Sequence, residues 1–410
     1  MLRHAISAFV QTRWVSRRRS RGAFVRWQDH AVARWMSRDV RRVKFYEQAT
    51  DFASLPVIDK ATVMGDFAAF NTVGLDAGQG WKIVKGAPAP KGLIVGASTG
   101  TSGNRGLFVI SEVESFRWLG TLLAKAMPDM LWRRQRVAIV LPQTTTLYDS
   151  ARRSGRIDLR FFALSEGPDA WRAQIESFAP TVIVAPPKIL RHFAETGFAL
   201  APRRVFAAAE TLDPPDRPVI EAAFGPLRQI YMATEGLLGV SCAHGTLHLA
   251  EDSTKFEFES VGDGLVSPLI TTFRRTTQIM ARYRMNDLLR LADRPCPCGS
   301  PLQAVAEIVG RMDDVFRFDG GVIVTPDVLR NAALNADRRI DDFRLVQRGG
   351  TVVLTLRDEL DDRAAAAALT AVCDLLDARG TGVQVRLERG PLPLDPVRKL
   401  RRVERIKGAA

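Results

Sequence analysis

A loop of glycine and hydroxyl residues, residues 96–106, is the stretch of the chain best suited to contact a polyphosphate. It holds four glycines and four serine or threonine residues, between the apolar runs 92–95 and 107–110. Glycine lets the backbone approach a ligand closely, and main-chain N–H and hydroxyl groups donate to phosphate oxygens. No Gly-Lys-Ser/Thr follows, so the loop is not a P-loop. We predict that it binds phosphate, with a plain connecting turn as the alternative; the predicted contacts are Ser98, Thr99, Gly100, Thr101, Ser102 and Gly103.

Polar side chains also follow three other apolar segments. Thr234 and Glu235 offer a hydroxyl group for a phosphate oxygen and a carboxylate for Mg²⁺. The small residues 207–209 precede Glu210 and would let a flat ring lie against the backbone. Asp287 follows an apolar strand and could accept ribose hydroxyls. An exposed strand end explains each of these positions equally well when it is taken alone, so the argument depends on their order along the chain.

Three of the four cysteines could hold a metal ion. Cys296 and Cys298 form a tight turn, and Cys242 lies about 50 residues earlier with His244 and His248 close behind it. Two cysteines on a turn, joined by a cysteine and a histidine from a hairpin, are a ligand set that Zn²⁺ binds tetrahedrally. Two buried thiols and an exposed turn are the alternative. We predict a closed structural zinc site away from the loop, with His244 as the other candidate for the fourth ligand; the predicted ligands are Cys242, His248, Cys296 and Cys298.

The motifs follow one another in a fixed order along the chain. After the loop come Tyr231-Met-Ala-Thr-Glu235, Tyr283-Arg-Met-Asn-Asp287, Gly310-Arg-Met-Asp-Asp314 and a late lysine, Lys399. In this order they resemble the core motifs of the adenylate-forming superfamily, which contains acyl-CoA ligases, acyl-AMP ligases and the adenylation domains of nonribosomal peptide synthesis. The Cys-Pro-Cys-Gly segment and the short N-terminal part resemble the phenylacetate–CoA ligase branch with its capsular-polysaccharide and coenzyme-adenylating relatives. The resemblance covers about residues 90–403.

The resemblance implies a role for each matching residue. Residues 98–103 would hold the β- and γ-phosphates of ATP, Thr234 would contact the α-phosphate and Glu235 would hold Mg²⁺. Lys399 would reach the acyl-adenylate oxygens, where a cation stabilises the charge that develops during attack on the α-phosphate. The C-terminal module would turn on Asp313 as its hinge. The remaining nucleotide contacts would be Ala208, Ala209, Glu210, Tyr231, Met232, Asp287 and Arg311.

The sequence departs from the family pattern at two positions. Asn104-Arg105 replaces the Lys-Pro pair that usually closes the loop, which removes a phosphate-binding cation unless Arg105 substitutes for it. Arg398 stands where the family usually has glycine before the lysine, which restricts the conformational freedom of the segment around Lys399.

The implied reaction is the ATP- and Mg²⁺-dependent activation of a small carboxylic acid to an acyl-AMP, with release of pyrophosphate. Transfer to a thiol would follow, on CoA or on a carrier protein. The family branch favours an aryl acid, and the predicted acid pocket consists of residues 142–148, residues 185–187 and Met232. Two alternatives remain: an amine or hydroxyl acceptor, or a catalytically weak nucleotide-binding partner of a biosynthetic complex.

The elements that must position these residues follow from hydrophobic patterning. Short apolar strands alternate with helices from residue 136 to residue 232, which predicts a mostly parallel α/β sheet. Short alternating segments then predict a β-rich subdomain over about residues 236–309. We therefore predict an α/β fold with an adenylating domain over residues 1–310 and a small mobile α+β domain over residues 311–410. Residues 1–46 and 52–70 are predicted to be helical, with Asp59 capping a helix that starts at Lys60.

Composition excludes several other classes of protein. The net charge is +13, but aromatic residues are not interleaved with the basic ones as a nucleic-acid platform would require. No window holds the roughly 18 apolar residues of a membrane span. Four cysteines in 410 residues indicate a reducing compartment, and we predict a cytoplasmic protein.

Overall fold

The structure is a computed structural model that describes residues 1–15, 20–98, 105–141, 156–396 and 398–406. Its α-helices are α1 (Leu2–Val15), α2 (Arg21–Arg38), α3 (Lys60–Gly65), α4 (Ala77–Val84), α5 (Glu112–Ala126), α6 (Arg172–Phe178), α7 (Pro187–Glu195), α8 (Asp216–Phe224), α9 (Pro326–Ala336) and α10 (Asp362–Ala378). None of these described helices has the length and apolar composition needed to cross a membrane.

The described strands are β1 (Leu93–Ala97), β2 (Leu107–Ser111), β3 (Gln135–Leu141), β4 (Ile157–Ala163), β5 (Val182–Ala185), β6 (Arg204–Ala208), β7 (Leu227–Ala233), β8 (Gly236–Ser241), β9 (Leu247–Leu249), β10 (Lys255–Gly262), β11 (Leu265–Thr271), β12 (Tyr283–Arg284), β13 (Asp287–Leu291), β14 (Ala304–Arg311), β15 (Phe316–Arg317), β16 (Ile323–Val324), β17 (Arg344–Arg348), β18 (Thr351–Leu356), β19 (Gln384–Arg389) and β20 (Val403–Ile406). Strands β1 and β2 form the antiparallel pair on either side of the glycine-rich loop.

One large sheet joins the predicted parallel sheet to the predicted β-rich subdomain. Its strand order is β10-β11-β13-β14-β9-β8-β7-β6-β5-β3-β4, and β12 pairs with β11. Neighbouring strands are parallel over the part of the sheet with the order β4-β3-β5-β6-β7. The pairing is antiparallel between β7 and β8 and onward from there. The mostly parallel sheet and the β-rich segment are therefore two halves of one continuous sheet, which change character at the β7–β8 turn.

Helices cover both faces of the parallel half, as the uninterrupted apolar strands require. On one face, α5 packs its buried leucines against β3, β5 and β6, with Phe9 of α1 at the edge of that core. On the other face, α6 and α7 bury Trp171, Ile175, Ile189 and Phe193 against the same strands. The carboxyl ends of the parallel strands are left for polar groups.

A separate four-stranded sheet lies in the C-terminal part of the chain, with the order β19-β18-β17-β20. The apolar faces of α9 and α10 pack on it and form a core of their own. We call this sheet and its two helices the C-terminal unit. The mixed α/β class is confirmed, whereas the predicted boundary between residues 310 and 311 stays a prediction.

Two helix predictions were too long. The described part of residues 1–46 contains two helices, α1 and α2, and Ser20 caps the second by accepting from Ala23 N at 3.2 Å. Residues 52–58 are not helical, because Pro56 disfavours helical backbone at the residue before it. Asp59 caps α3 as predicted, since its Oδ1 accepts from Thr62 N at 2.8 Å.

Close packing of α1 on α5 depends on Gly120. A Cβ atom there would overlap the carbonyl oxygen of Ala5 and lie 2.8 Å from its carbonyl carbon. We expect Gly120→Ala to lower the free energy of unfolding by about 1–3 kcal/mol, the usual cost of overpacking. Gly65→Ala is the control, because nothing lies within 4 Å of its Cβ position. Urea denaturation of both variants checks the prediction, and equal stabilities would contradict it.

Candidate active site

The β7–β8 turn places two predicted site residues where the large sheet changes from parallel to antiparallel. Ala233 pairs with Gly236, so Thr234 and Glu235 alone form the turn. Glu235 is buried and Thr234 half-buried, and both line a small cavity of about 20 Å³. The turn therefore presents a hydroxyl group and a carboxylate side by side at the carboxyl end of a parallel strand, which is where open α/β sheets bind ligands.

A buried hydrogen bond joins two further predicted residues. Tyr231, on β7, donates from its hydroxyl group to Oδ2 of Asp287 at 2.6 Å. Burial raises the pKa of Tyr231 well above its usual value, and the charge of Asp287 raises it further, so the tyrosine stays a donor. Asp287 faces Arg311 in the β13–β14 ladder. The predicted ribose-binding acid thus has a fixed orientation and an arginine as its strand partner.

Lys399 lies among these groups although it is remote from them in sequence. Burial of its ammonium group lowers the pKa of Lys399, and Arg311 lowers it further, whereas Glu210 and Asp287 act in the opposite direction. Lys399 as a whole residue is exposed to solvent, although protein atoms surround its ammonium group. The electrostatic neighbours of Lys399 are therefore the residues predicted to surround the nucleotide.

The end of β6 carries the residues predicted to line adenine. Ala208 is buried, and Ala209 has a φ angle of 69°, a left-handed conformation that is rare for alanine. The carboxylate of Glu210 lies 3.0 Å from the ammonium group of Lys188. Met232, on the neighbouring strand, is partly buried against the core under α5. Adenine binding by this segment stays a prediction.

Only the edges of the glycine-rich loop lie within the described residues. Ser98 Oγ accepts from Gly106 N at 2.8 Å, which closes the base of the loop, whereas residues 99–104 lie outside the described part. Arg105 donates to Ser98 O at 2.9 Å, and its guanidinium lies 5.3 Å from the centre of the Trp81 ring. Arg105 therefore has its partners at the base of the loop.

The predicted acid pocket and hinge are described only in part. Residues 142–148 lie outside the described residues, whereas Ala185 is buried at the end of β5 and Pro187 begins α7. At the predicted hinge, Asn286 donates from Nδ2 to Asp313 Oδ2 at 2.6 Å. The roles of these residues stay predictions.

The cysteine cluster has the geometry of a tetrahedral metal site. The ligand atoms of Cys242, His248, Cys296 and Cys298 all lie within 4.8 Å of one another. The sulfur atoms of Cys242 and Cys296 are 3.7 Å apart, and Cys298 Sγ is 3.3 Å from His248 Nε2. Zn–S bonds of about 2.3 Å at tetrahedral angles put two sulfur atoms about 3.8 Å apart. The donor set and its spacing therefore fit Zn²⁺.

The groups around the cluster also fit a metal. His248 Nδ1 lies 3.1 Å from Leu302 O, so a proton on Nδ1 leaves Nε2 free to coordinate. Main-chain N–H groups of His244 and Ser300 donate to the sulfur atoms of Cys242 and Cys298, each at 3.4 Å. His244 is not part of the metal-binding group among the described residues, so the geometry favours His248 as the fourth ligand.

Three residues near the site were not predicted from the sequence. Lys60 lines the same small cavity as Glu235, and Lys188 and Arg402 are buried near Lys399. A capping aspartate immediately before Lys60 was the only local signal for it. The other two lie on segments where an exposed basic residue is the usual expectation.

No protein-family model and no curated protein matches the sequence. Solved structures match nearly the whole chain, and the fold is that of the adenylate-forming CoA ligases. The 2-hydroxyisobutyryl-CoA ligase in its postadenylation state, with R3-HIB-AMP bound, is 17% identical with a TM-score of 0.68, over 93% of this chain and 89% of that one. The same ligase in its thioesterification state, with 2-HIB-AMP and CoA, is 19% identical over 93% and 90%, with a TM-score of 0.55.

A second kind of enzyme shares the fold more distantly. The amide bond synthetase McbA from Marinactinospora thermotolerans is 14% identical, over 76% of this chain and 68% of that one, with a TM-score of 0.53. At these identities the likeness establishes the architecture, and the chemistry must be argued from the residues of this chain.

Proposed function

We propose that this protein activates a carboxylic acid with ATP, forms an acyl-AMP and pyrophosphate, and then transfers the acyl group to a thiol. The observation that carries the proposal is the pairing of Asp287 with Arg311 and its hydrogen bond from Tyr231, with the charge of Lys399 interacting with both Asp287 and Arg311, in a fold shared with adenylate-forming ligases. These residues are distant from one another in sequence, and they belong to the motifs whose order along the chain resembles that of the adenylate-forming superfamily.

Each group has a chemical task in this proposal. The acid attacks the α-phosphate, and the ammonium group of Lys399 stabilises the negative charge that grows on the phosphoryl oxygens. Asp287, held by Tyr231, accepts hydrogen bonds from the ribose hydroxyls, and Arg311 adds a positive charge beside it. Binding energy from the nucleotide thus orients the α-phosphate for attack.

The Thr234–Glu235 turn fits a Mg²⁺ ion. Glu235 is a buried carboxylate beside a hydroxyl group, and hard oxygen ligands of this kind suit Mg²⁺. When bound, the ion would neutralise charge on the triphosphate. Tyr283 is close enough to hydrogen-bond with Glu235, and burial and that carboxylate raise the pKa of Tyr283 above its usual value. The tyrosine therefore stays protonated and can keep the carboxylate oriented.

Acid-dependent ATP–pyrophosphate exchange tests the proposal. A panel of aryl, fatty, hydroxy and amino acids should reveal one class that stimulates exchange, with aryl acids favoured by the family branch. CoA and a carrier-protein thiol are then offered in turn to the activated acid. Absence of exchange with every acid, despite measurable ATP binding, would favour a nucleotide-binding partner of a biosynthetic complex.

An amine acceptor is the second candidate for the last step. It is supported by the fold shared with an amide bond synthetase. Competition between CoA and an amine for the same acyl-AMP discriminates the two outcomes, since thioester and amide are separated by mass.

We propose that Lys60 supplies the phosphate-binding cation that the loop lacks. Its side-chain carbons lie 3.6–3.8 Å from the Cβ position of Gly106, and it lines the cavity beside Glu235. A hydrogen bond to a charged group contributes about 1.5–3 kcal/mol, so we expect Lys60→Ala to raise the KM for ATP by about 10- to 100-fold. Arg105→Ala should raise it less. Steady-state pyrophosphate exchange measures both, and the reverse order would contradict the assignment.

We propose in addition that Cys242, His248, Cys296 and Cys298 hold a structural zinc ion. Four protein ligands would complete the tetrahedral coordination of the zinc ion, which leaves no coordination position open for a substrate. Zinc would therefore support the antiparallel half of the large sheet and take no part in acyl transfer.

A further inference from the structure

A buried lysine holds the turn that immediately precedes Lys399. Lys188, in the first turn of α7, has a side chain that is 3% exposed, and its ammonium group lies 3.0 Å from Oε1 of Glu210. It also donates to the carbonyl oxygens of Asp395, at 2.8 Å, and of Arg398. An ammonium group has three donors, so every hydrogen has an acceptor, and two of the acceptors belong to the main chain of the C-terminal segment.

A second buried cation fixes the same segment on the other side of Lys399. Arg402, also 3% exposed, donates to both carboxylate oxygens of Asp216, at 2.8 and 2.9 Å, and to Asp213 at 2.6 Å. Its Nε donates to Asp342 of the C-terminal part at 2.8 Å. Bidentate arginine–carboxylate pairs fix orientation as well as distance. Only residues 399–401 separate the two anchors.

The lysine anchor and Lys399 share one acid. Burial raises the pKa of Glu210, and Lys188 and Lys399 lower it. The second carboxylate oxygen of Glu210 is buried and has no hydrogen-bond partner among the described residues. Removing Lys188 would therefore release the turn and also change the charge that faces Lys399.

We propose that Lys188 is a positioning residue that holds the main chain at Asp395 and Arg398 so that the Lys399 ammonium group faces the α-phosphate, with Arg402 as the second anchor. The proposal rests on the proposed adenylating function. The better superposition on the postadenylation state than on the thioesterification state of the same ligase is consistent with a lysine held for adenylation.

A double-mutant cycle separates positioning from general support of the fold. We expect Lys188→Met to lower kcat for acid-dependent pyrophosphate exchange by about 10- to 100-fold, because a misplacement of about 1 Å has effects of this size. The KM for ATP should stay within about threefold. In the Lys399→Ala background the same substitution should change the rate less than about twofold, since no ammonium group is left to position. If Lys188→Met lowers the exchange rate by the same factor in the wild type and in the Lys399→Ala background, the proposal is wrong.

Lys125→Met is the matched control. Lys125 also forms an ion pair that is largely shielded from solvent: its ammonium group lies 2.9 Å from Asp252, and the two side chains are 11% and 3% exposed. Loss of this pair should lower the thermal stability but leave exchange unchanged. If Lys125→Met slows exchange as much as Lys188→Met, the effect of Lys188 is structural and the proposal is wrong.

Hydrogen–deuterium exchange tests the anchor without reference to activity. We expect the peptide covering residues 391–406 to exchange faster in Lys188→Met than in the wild type, because its main chain loses two hydrogen bonds. If Lys188→Met does not fold, the double variant Lys188→Met/Glu210→Gln removes both charges of the Lys188–Glu210 pair and is measured in the same way. Unchanged protection of this peptide would refute the proposal that Lys188 anchors the segment. Wild-type protein that activates no acid would refute the proposed function instead.

Discussion

Lys399→Ala should lower the rate of acid-dependent pyrophosphate exchange by about 10²- to 10³-fold, the usual effect of removing one group that stabilises transition-state charge. The charge of Lys399 interacts with Arg311, Glu210 and Asp287, and in the proposed function it acts on the phosphoryl group beside the ribose. The affinity for ATP should change little, because an interaction made mainly in the transition state contributes little to ground-state binding.

Two measurements define this result. Single-turnover formation of acyl-AMP gives the chemical step, and calorimetric titration with ATP gives the affinity. Arg386→Ala removes an exposed cation from β19 of the C-terminal unit and should leave both unchanged. Adenylation that survives in Lys399→Ala at near wild-type rate would remove the lysine from the mechanism.

The second large effect is expected on removal of zinc. Purified protein should contain about one zinc ion per chain by elemental analysis, and Cys296→Ser should lose it. We expect the midpoint of thermal unfolding of the variant to fall by about 10 °C or more, because loss of a structural metal is among the most destabilising single changes. A strong chelator should have the same effect on the wild type.

Cys373→Ser is the control for the zinc experiment. Cys373 lies in α10 and is the one cysteine outside the metal-binding group. Its replacement should leave zinc content and unfolding temperature close to those of the wild type. Wild-type protein that contains no zinc when purified, or that unfolds at the same temperature as Cys296→Ser before any chelator is added, would show that the four residues form no metal site.

The sequence predicted those features that depend on local pattern. The apolar runs 136–141 and 181–185 correspond to β3 and β5, which run parallel, and parallel strands bring their carboxyl ends to one edge of a sheet. The positions of Thr234 and Glu235 followed from this rule. The predicted metal ligands Cys242, His248, Cys296 and Cys298 come together, because cysteine and histidine spacing on hairpins limits which atoms can meet. Zinc binding by these residues stays a prediction.

The features that the sequence did not predict depend on contacts between distant segments. Arg402 bonds to Asp213 and Asp216, nearly 190 positions earlier, and no periodicity links such residues. Lys188 lies in a short helix where a lysine is usually exposed, and its partners are Glu210 and the carbonyl oxygens of Asp395 and Arg398, which are not its neighbours in sequence. The late start of the helix predicted over residues 52–70 could have been predicted, since Pro56 restricts the residue before it.

The β13–β14 hairpin carries predicted site residues at both of its ends. Cys296 and Cys298 lie in the connection between the strands, whereas Asp287 begins β13 and faces Arg311 at the end of β14. Two irregularities interrupt the ladder between them, so the regular pairing is broken locally at those points. In the proposed zinc site, the metal would fix this connection to Cys242, which follows β8, and to His248 on β9. We therefore expect loss of zinc to loosen the pairing of Asp287 with Arg311 at the other end of the hairpin.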